Sequence, residues 1–493
     1  MSRLLLLGGS YSARSVIANA QRCVNLYPEL NPKDAPVPVT YYQRPGLRPL
    51  ANGPHAPVRG LYRASNGNGY CVIGQNVYSI SITWVLTLLG QLSSPAVTPV
   101  SFIDNGTTIW LADGSELSYS IVMATNVFAV VTDSTGTFQG ATKLDYLDGF
   151  LLWNILNTNG FGSTLNNELT FDGLYYGTKQ SYPDDIVSIA VCRRELFLLG
   201  ALKSEIWYDA GNSGFPFAEL PGASIEHGCC AAYSVAQADL AVFWLGQDLQ
   251  GQGVVFQGSG YRCSRISTHA IEYAIQQMGR KGTISDAIGY TYQQDGHVFY
   301  VLSFPTGGQT WVYDSSCEMW HQRAWTDANG ELARDRTNCG AFINGLNVAG
   351  DWENGTIYAL DTDVWQDTVG GVAGPISFIR TFPHIQGLPG LNGQLMPLDG
   401  KRVRFLQFVA DIESGHGPAD GSIPSLSLRW SDDRGQTFGN AVLQTNGTPG
   451  QYSTQPSWRG LGEARDRIFE LSYSFNGKAA LNGAWVEGTV LNT

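Results

Sequence analysis

The sequence predicts an all-β protein: a β-propeller of about seven blades, within a range of six to eight, set between an extended N-terminal arm and a C-terminal β-sandwich-like domain. Three observations predict it. Apolar residues make up 43% of the 493-residue chain and charged residues only 15%, while 58 glycines accompany 13 Trp, 23 Tyr and 21 Phe. That composition suits many short strands joined by tight turns. A loose repeat of strand, Gly/Asn/Asp turn and aromatic-bearing strand runs through the middle of the chain. Past Asp363 the rhythm changes to longer strands with cleaner alternation.

The elements follow in chain order. Residues 1–60 carry Pro28, Pro32, Pro36, Pro38, Pro45, Pro49, Pro54 and Pro57. Prolines at this density exclude helix interiors and central strands. The segment is therefore predicted as an extended arm, lying along a surface or a neighbouring subunit. Residues 61–370 are predicted as the propeller. Copies of the repeat begin near Tyr70, Thr107, Gly149, Glu195, Ala241, His297 and Leu346. Their starts lie 37 to 56 residues apart, close to the spacing of four-stranded blades. In TWVYDSSCEMWHQR, Trp311 and Tyr313 alternate with Val312, Asp314-Ser315-Ser316 supplies a turn, and Trp320 begins the returning strand. Residues 371–493 are predicted as the sandwich-like domain. Leu426, Leu428 and Trp430 share one face of SLSLRW, and Phe469, Leu471, Tyr473 and Phe475 one face of FELSYSF. The best helical pattern covers residues 267–278, with Ser267 or Thr268 as N-cap and Glu272 close behind, and reads as an insertion at a blade edge.

A formal net charge of −12 argues against a basic nucleic-acid-binding surface. An acidic wall can still let a DNA duplex pass, because it repels phosphates. The eight cysteines are scattered without a C-x2-C pair and read as mostly buried thiols. Four consecutive leucines near the N-terminus fall short of the ~7–15 apolar residues of a signal peptide. No later apolar run approaches the ~20 residues of a membrane span. Synthesis in a reducing cytoplasm without a membrane anchor is the expectation.

The most specific motif is SDDRGQTF at 431–438. It matches the Asp-box pattern S-x-D-x-G-x-T-[WF] through Ser431, Asp433, Gly435, Thr437 and Phe438. Such boxes are best known from sialidase propellers, where several occur, one per blade, away from the catalytic centre. Physically the box is a hairpin turn: Asp433 accepts backbone N–H bonds, Gly435 takes a positive φ, and Phe438 packs beneath. It occurs once, beyond the propeller repeats, which favours a structural turn over a catalytic group. The carboxylate pairs Asp184-Asp185 and Asp432-Asp433 point apart and read as solvated loops. The cluster EHGCC at 226–230 lacks a second pair of metal ligands, and GDWENG at 350–355 lacks the frame of a calcium loop. No Walker A loop, G-x-S-x-G elbow or HExxH motif is present. The expectation is no catalytic residue, no cofactor and no metal.

Several phrases taken together resemble a known family. GGSYSARSVIANAQRCVNLYPE (8–29), YQRPGLRPL (42–50) and PVRGLY (57–62) open the chain; KLDYLDGFLLW (143–153), KSEIWYDAG (203–211) and RISTHAIEYAI (265–275) follow. SDDRGQTFG and WRGLGEARDRIFELSYS (458–474) close it. In this order they resemble the tail-hub, or packaged-DNA stabilisation, proteins of short-tailed double-stranded-DNA phages (podoviruses). The resemblance implies a non-enzymatic structural protein of the virion tail, assembled in the host bacterial cytoplasm. It further implies a homo-oligomer, a hexameric ring below the portal and adaptor. That ring would continue the DNA channel, help retain packaged DNA, and anchor a tail needle, tailspike or fibres. Double-stranded DNA would pass without sequence-specific binding. Two other readings stay open at this point: a sialidase-like glycan hydrolase, and a glycan-binding receptor module whose exposed Trp and Tyr side chains stack on sugars.

Overall fold

All seven copies of the repeat fall on one kind of strand. In the computed structural model, Gly69–Ile73, Thr108–Ala112, Phe150–Asn154, Glu195–Gly200, Ala241–Gln247, His297–Phe304 and Leu346–Asp351 are each the second strand of their meander. The structure describes residues 2–6, 21–35, 37–248, 250–327, 329–385, 387–389, 395–398, 400–416 and 423–491. A second strand lies between two others and packs neighbouring blades on both faces. Its burial is therefore nearly continuous, and Phe150–Asn154 is buried at every position. The first strands carry a weaker signal, as in Ser101–Asp104 and Ala236–Ala238. The sequence repeat is thus read one strand late.

Six blades are built from consecutive strands, over 58–91, 101–130, 144–178, 186–219, 236–265 and 288–326. Another sheet is composite. Thr337–Ile343, Leu346–Asp351 and Thr356–Asp361 form a meander whose fourth strand is Gly46–Asn52, from the other end of the chain. The first strands contact one another in sequence around the axis, and Thr337–Ile343 returns to Val58–Arg63 to close the circle. Apolar clusters fill the wedges between blades. Trp110 and Trp153 meet edge to face at 5.5 Å between the second and third blades, with Phe138 and Phe171 against both.

The described part of the first 60 residues is extended and woven into the molecule instead of projecting from it. Ser2–Leu5 and Val39–Gln43 both pair with Ala480–Val490 in the sandwich, and Leu26–Leu30 pairs with Val39–Gln43. Pro49 is accommodated within Gly46–Asn52 where the register shifts opposite Ile357 and Tyr358. A bulge of this kind absorbs a residue that cannot donate to the ladder. Residues 7–20, which hold most of the opening phrase, lie outside the described residues.

The C-terminal strands make two facing sheets. One contains Val403–Ile412 and Ala480–Val490; the other contains Ser377–Thr381, Ile468–Ser474 and Ser425–Ser431. Leu426, Leu428, Phe469, Leu471 and Tyr473 point into a shared core with Leu26, Val39 and Tyr41 from the N-terminal segment. Glu470, on the face expected to be wet, is only 5% exposed because Arg429 lies opposite it and bonds it at 2.6 Å. The helix is His269–Lys281, longer at its C-terminal end than predicted. Thr268 caps it, Ser267 Oγ donates to Glu272 Oε1 at 2.7 Å, and Ile271, Ile275 and Met278 are buried. It links two blades and belongs to their core.

Candidate functional site

The strongest cluster of chemically committed side chains lies where propeller and sandwich meet. The two-residue strand Cys23–Val24 pairs in parallel with Met319–Thr326, the outer strand of the sixth blade, and antiparallel with Ser377–Thr381 of the sandwich. One ten-stranded sheet therefore runs from a blade through the N-terminal segment into the sandwich. Asn25 follows with φ 58°, a left-handed conformation that Asn tolerates better than most residues. Its Nδ2 donates to Ser377 O at 2.7 Å, while its Oδ1 accepts from Ala324 N at 2.9 Å and Arg44 Nε at 3.0 Å. Arg44 is buried and reaches Asp367 through both terminal nitrogens. Burial opposes its charge, but Asp367 and then Asp335 outweigh that and raise its pKa. A cleft of about 400 Å³ lies over these groups.

The predicted Asp-box residues are brought together in the connection from Ser425–Ser431 to Val442–Thr445. Asp433 Oδ1 accepts from Ser431 Oγ at 2.7 Å, Gln436 N at 3.0 Å and Thr437 N at 2.9 Å. Asp433 Oδ2 accepts from Thr437 N at 3.0 Å and Thr437 Oγ1 at 2.5 Å. Hydrogen bonds from Thr437 and then Ser431 hold the carboxyl down to about 2. Gly435 has φ 87° and donates its N–H to Ser431 Oγ at 2.7 Å. Phe438 is half-buried, with the Arg429 guanidinium 4.9 Å from its ring centre. The box thus covers the Arg429–Glu470 pair.

Neither carboxylate pair is a plain solvated loop. Asp184 pairs with buried Lys179 and accepts from Leu202 N at 2.5 Å. Burial lowers Lys179 to about 8. Asp432 holds buried Arg467 at 2.6 and 2.7 Å. Asp351 of the GDWENG turn is occupied by Arg336, at 3.0 and 2.6 Å, and by Tyr358 Oη at 2.8 Å. All eight cysteines are free thiols, and five are buried. Among the described residues no group of three His, Cys, Asp or Glu side chains is placed to hold a metal ion. No helix among them is long and apolar enough to cross a membrane.

Leu86–Gln91 and Val127–Val130 are the outermost strands of the first two blades. They run close together: a Cβ on Gly90 would lie 2.2 Å from the Phe128 ring. Leu88, Val127 and Val130 are 54%, 56% and 48% exposed on this joint edge.

Two family models match, one described as bacteriophage P22 Gp10, beta-propeller, over residues 2–365, the other as bacteriophage P22 Gp10, beta-sandwich, over residues 391–489. The chain belongs to the bacteriophage P22 Gp10 family. As a Gp10-family member it is a structural protein of a phage tail and a component of the virion, on a propeller-plus-sandwich fold. No curated protein matches this Gp10-family chain. Among solved structures it is similar to a streptogramin B lyase (11% identity, TM-score 0.42, covering 64% of this chain and 96% of that one). It is also similar to the WD40 β-propeller domain of Doa1 (9%, 0.39, 64% and 96%) and to the N-terminal domain of Nup159 (12%, 0.38, 69% and 98%). Likenesses at these scores carry no argument about what this Gp10-family protein does.

Proposed function

We propose that this chain is a ring-forming hub of a short phage tail. Copies assemble below the portal and adaptor, as a hexamer, and the ring continues the channel through which DNA leaves the head. It helps retain packaged DNA and anchors a needle, tailspike or fibres. The observation that carries the reading is the apolar double edge formed by Leu88, Val127 and Val130. Exposed sheet edges carrying apolar side chains are ready templates for association, and a monomeric protein usually blunts them. The net charge of −12 suits a channel wall that passes DNA without holding it.

The Asp box is a structural turn in this reading. Its carboxylate is taken up by donors of its own hairpin, and it supports the Arg429–Glu470 pair instead of facing a substrate. The test is assembly together with activity. Light scattering and native mass spectrometry of the protein with its adaptor should show a six-fold complex without sialoside hydrolysis. Leu88→Asp combined with Val127→Asp should abolish the complex and leave the circular dichroism spectrum unchanged. A monomer that hydrolyses a sialoside would refute the reading.

A further inference from the structure

The loops that precede the first strands of several blades converge at one end of the propeller axis. There they line an open cavity of about 600 Å³. Pro99, Tyr233 and Pro305 form apolar walls, and the polar groups include Arg334, Trp352, Asp286 and Glu353, the last paired with Arg336 at 2.8 Å.

Arg334 is nine-tenths buried, and among the described residues it has no carboxylate within ion-pair distance. Its Nη2 donates to Asn338 Oδ1 at 3.1 Å, its Nε has no partner, and its guanidinium lies 4.8 Å from the centre of the Trp352 ring. Five arginines buried as deeply elsewhere each face an acid: Arg44 has Asp367, Arg59 has Asp113, Arg323 has Asp335, Arg336 has Asp351 and Arg467 has Asp432. Burial lowers Arg334 to about 10, so it still carries its charge at neutral pH. Asp335, Asp286 and Asp351 act on this charge from beyond ion-pair distance. A buried charge without a direct counter-ion is costly, so a carboxylate brought into the cavity would stabilise it.

Two further groups in the same cavity are unsatisfied. Among the described residues the Trp352 indole N–H has no acceptor. Asp286 Oδ2 accepts from Thr306 N at 2.8 Å and Thr306 Oγ1 at 2.7 Å, but its Oδ1 is buried with no donor. The cavity thus offers two donors for an anion, one acceptor for an N–H, and apolar walls.

We propose that this axial mouth binds an acidic peptide segment of another protein of the particle. A Glu or Asp carboxylate of that segment bonds to Arg334 and Trp352, a backbone amide donates to Asp286, and flanking apolar residues lie against Pro99, Tyr233 and Pro305. The inference goes beyond ring assembly and does not depend on it.

The test is calorimetry of the full-length chain at neutral pH. The probes are a blocked five-residue peptide carrying one glutamate between prolines and leucines, and its glutamine counterpart. The glutamate peptide should bind one to one, and the glutamine peptide at least about tenfold more weakly. Arg334→Gln should weaken the glutamate peptide by a similar factor while leaving the circular dichroism spectrum unchanged. Tyr233→Ala, which trims the opposite wall, should weaken both peptides and serves where Arg334→Gln fails to fold. Several results would overturn the proposal: no binding up to about 5 mM peptide, equal binding of the two peptides, or binding indifferent to both substitutions. Free glutarate binding as tightly as the peptide, or an oligonucleotide displacing it, would do so as well.

Discussion

Arg44 and Asp367 form a two-point ion pair, Nη1 to Oδ1 at 3.0 Å and Nη2 to Oδ2 at 2.5 Å, with side chains 1% and 7% exposed. The pair joins the N-terminal segment to the strand Gln366–Val369, which follows the last blade. Asp367 Oδ1 also accepts from Leu47 N at 3.2 Å, at the start of the strand that closes the propeller. Ring closure and the seam with the sandwich therefore share one buried carboxylate.

Removing one partner leaves the other charge buried and unpaired, which typically costs about 3–5 kcal/mol. Asp367→Ala is expected to lower stability by about that much in denaturant unfolding, and Arg44→Met to lower it similarly. The double substitution Arg44→Met with Asp367→Leu should recover much of the loss, because no orphan charge remains. Additive losses in this cycle would show that the two residues act independently.

Asn25 bridges three partners, so its side chain couples the two domains. Asn25→Gly keeps the left-handed backbone accessible while deleting the bonds to Ser377, Ala324 and Arg44. We expect unfolding of the sandwich to separate from that of the propeller, read as two transitions in calorimetry. A single transition at an unchanged midpoint would show that Cys23–Val24 pairing suffices.

The carboxyl of Asp433 is held at about 2, below its ordinary value near ~3.9. Its contribution is thus present above ~3.9 and lost as pH falls through about 2. In wild type at neutral pH the Gln436 and Thr437 amides should exchange slowly, and Asp433→Ala should make both exchange fast. If they exchange equally fast in the two proteins, the box does not hold its hairpin.

His321 is fully buried and, among the described residues, neither ring nitrogen has a hydrogen-bond partner. Burial, and secondarily the Arg323 charge, lowers it to about 3. Its folded value lies below the unfolded ~6.5, so the folded state loses stability as pH falls from ~6.5 toward 3. His321→Phe, placed among Tyr27 and Phe299, should raise the urea midpoint, and the gain should widen on acidification. A gain that does not change with pH would contradict this account of the site.

The second strands are legible in the sequence because burial on both faces makes them uniformly apolar, as in FLLWN at 150–154. The Asp box is legible because its bonds span at most four residues. The closure of the propeller is not. Gly46–Asn52 contains a proline and pairs with Thr356–Asp361, far away in the chain. No local periodicity records a partner at that distance, and the prolines suggest a free arm. Arg44 and Asp367 are hidden for the same reason, since each alone resembles an ordinary surface charge. The helix is underestimated because Gly279 weakens its last turn, which the core holds through Met278. Arg334 stands out only once the ion pairs of Arg44, Arg59, Arg323, Arg336 and Arg467 are known.

The most direct test of the tail-hub reading is a low-resolution image of the assembled tail with this chain located in it. The reading predicts six copies in a ring around the axial channel, below the portal and adaptor, touching through the edges that carry Leu88, Val127 and Val130. Isolated copies on the outside of the particle, with those edges facing solvent, would contradict it.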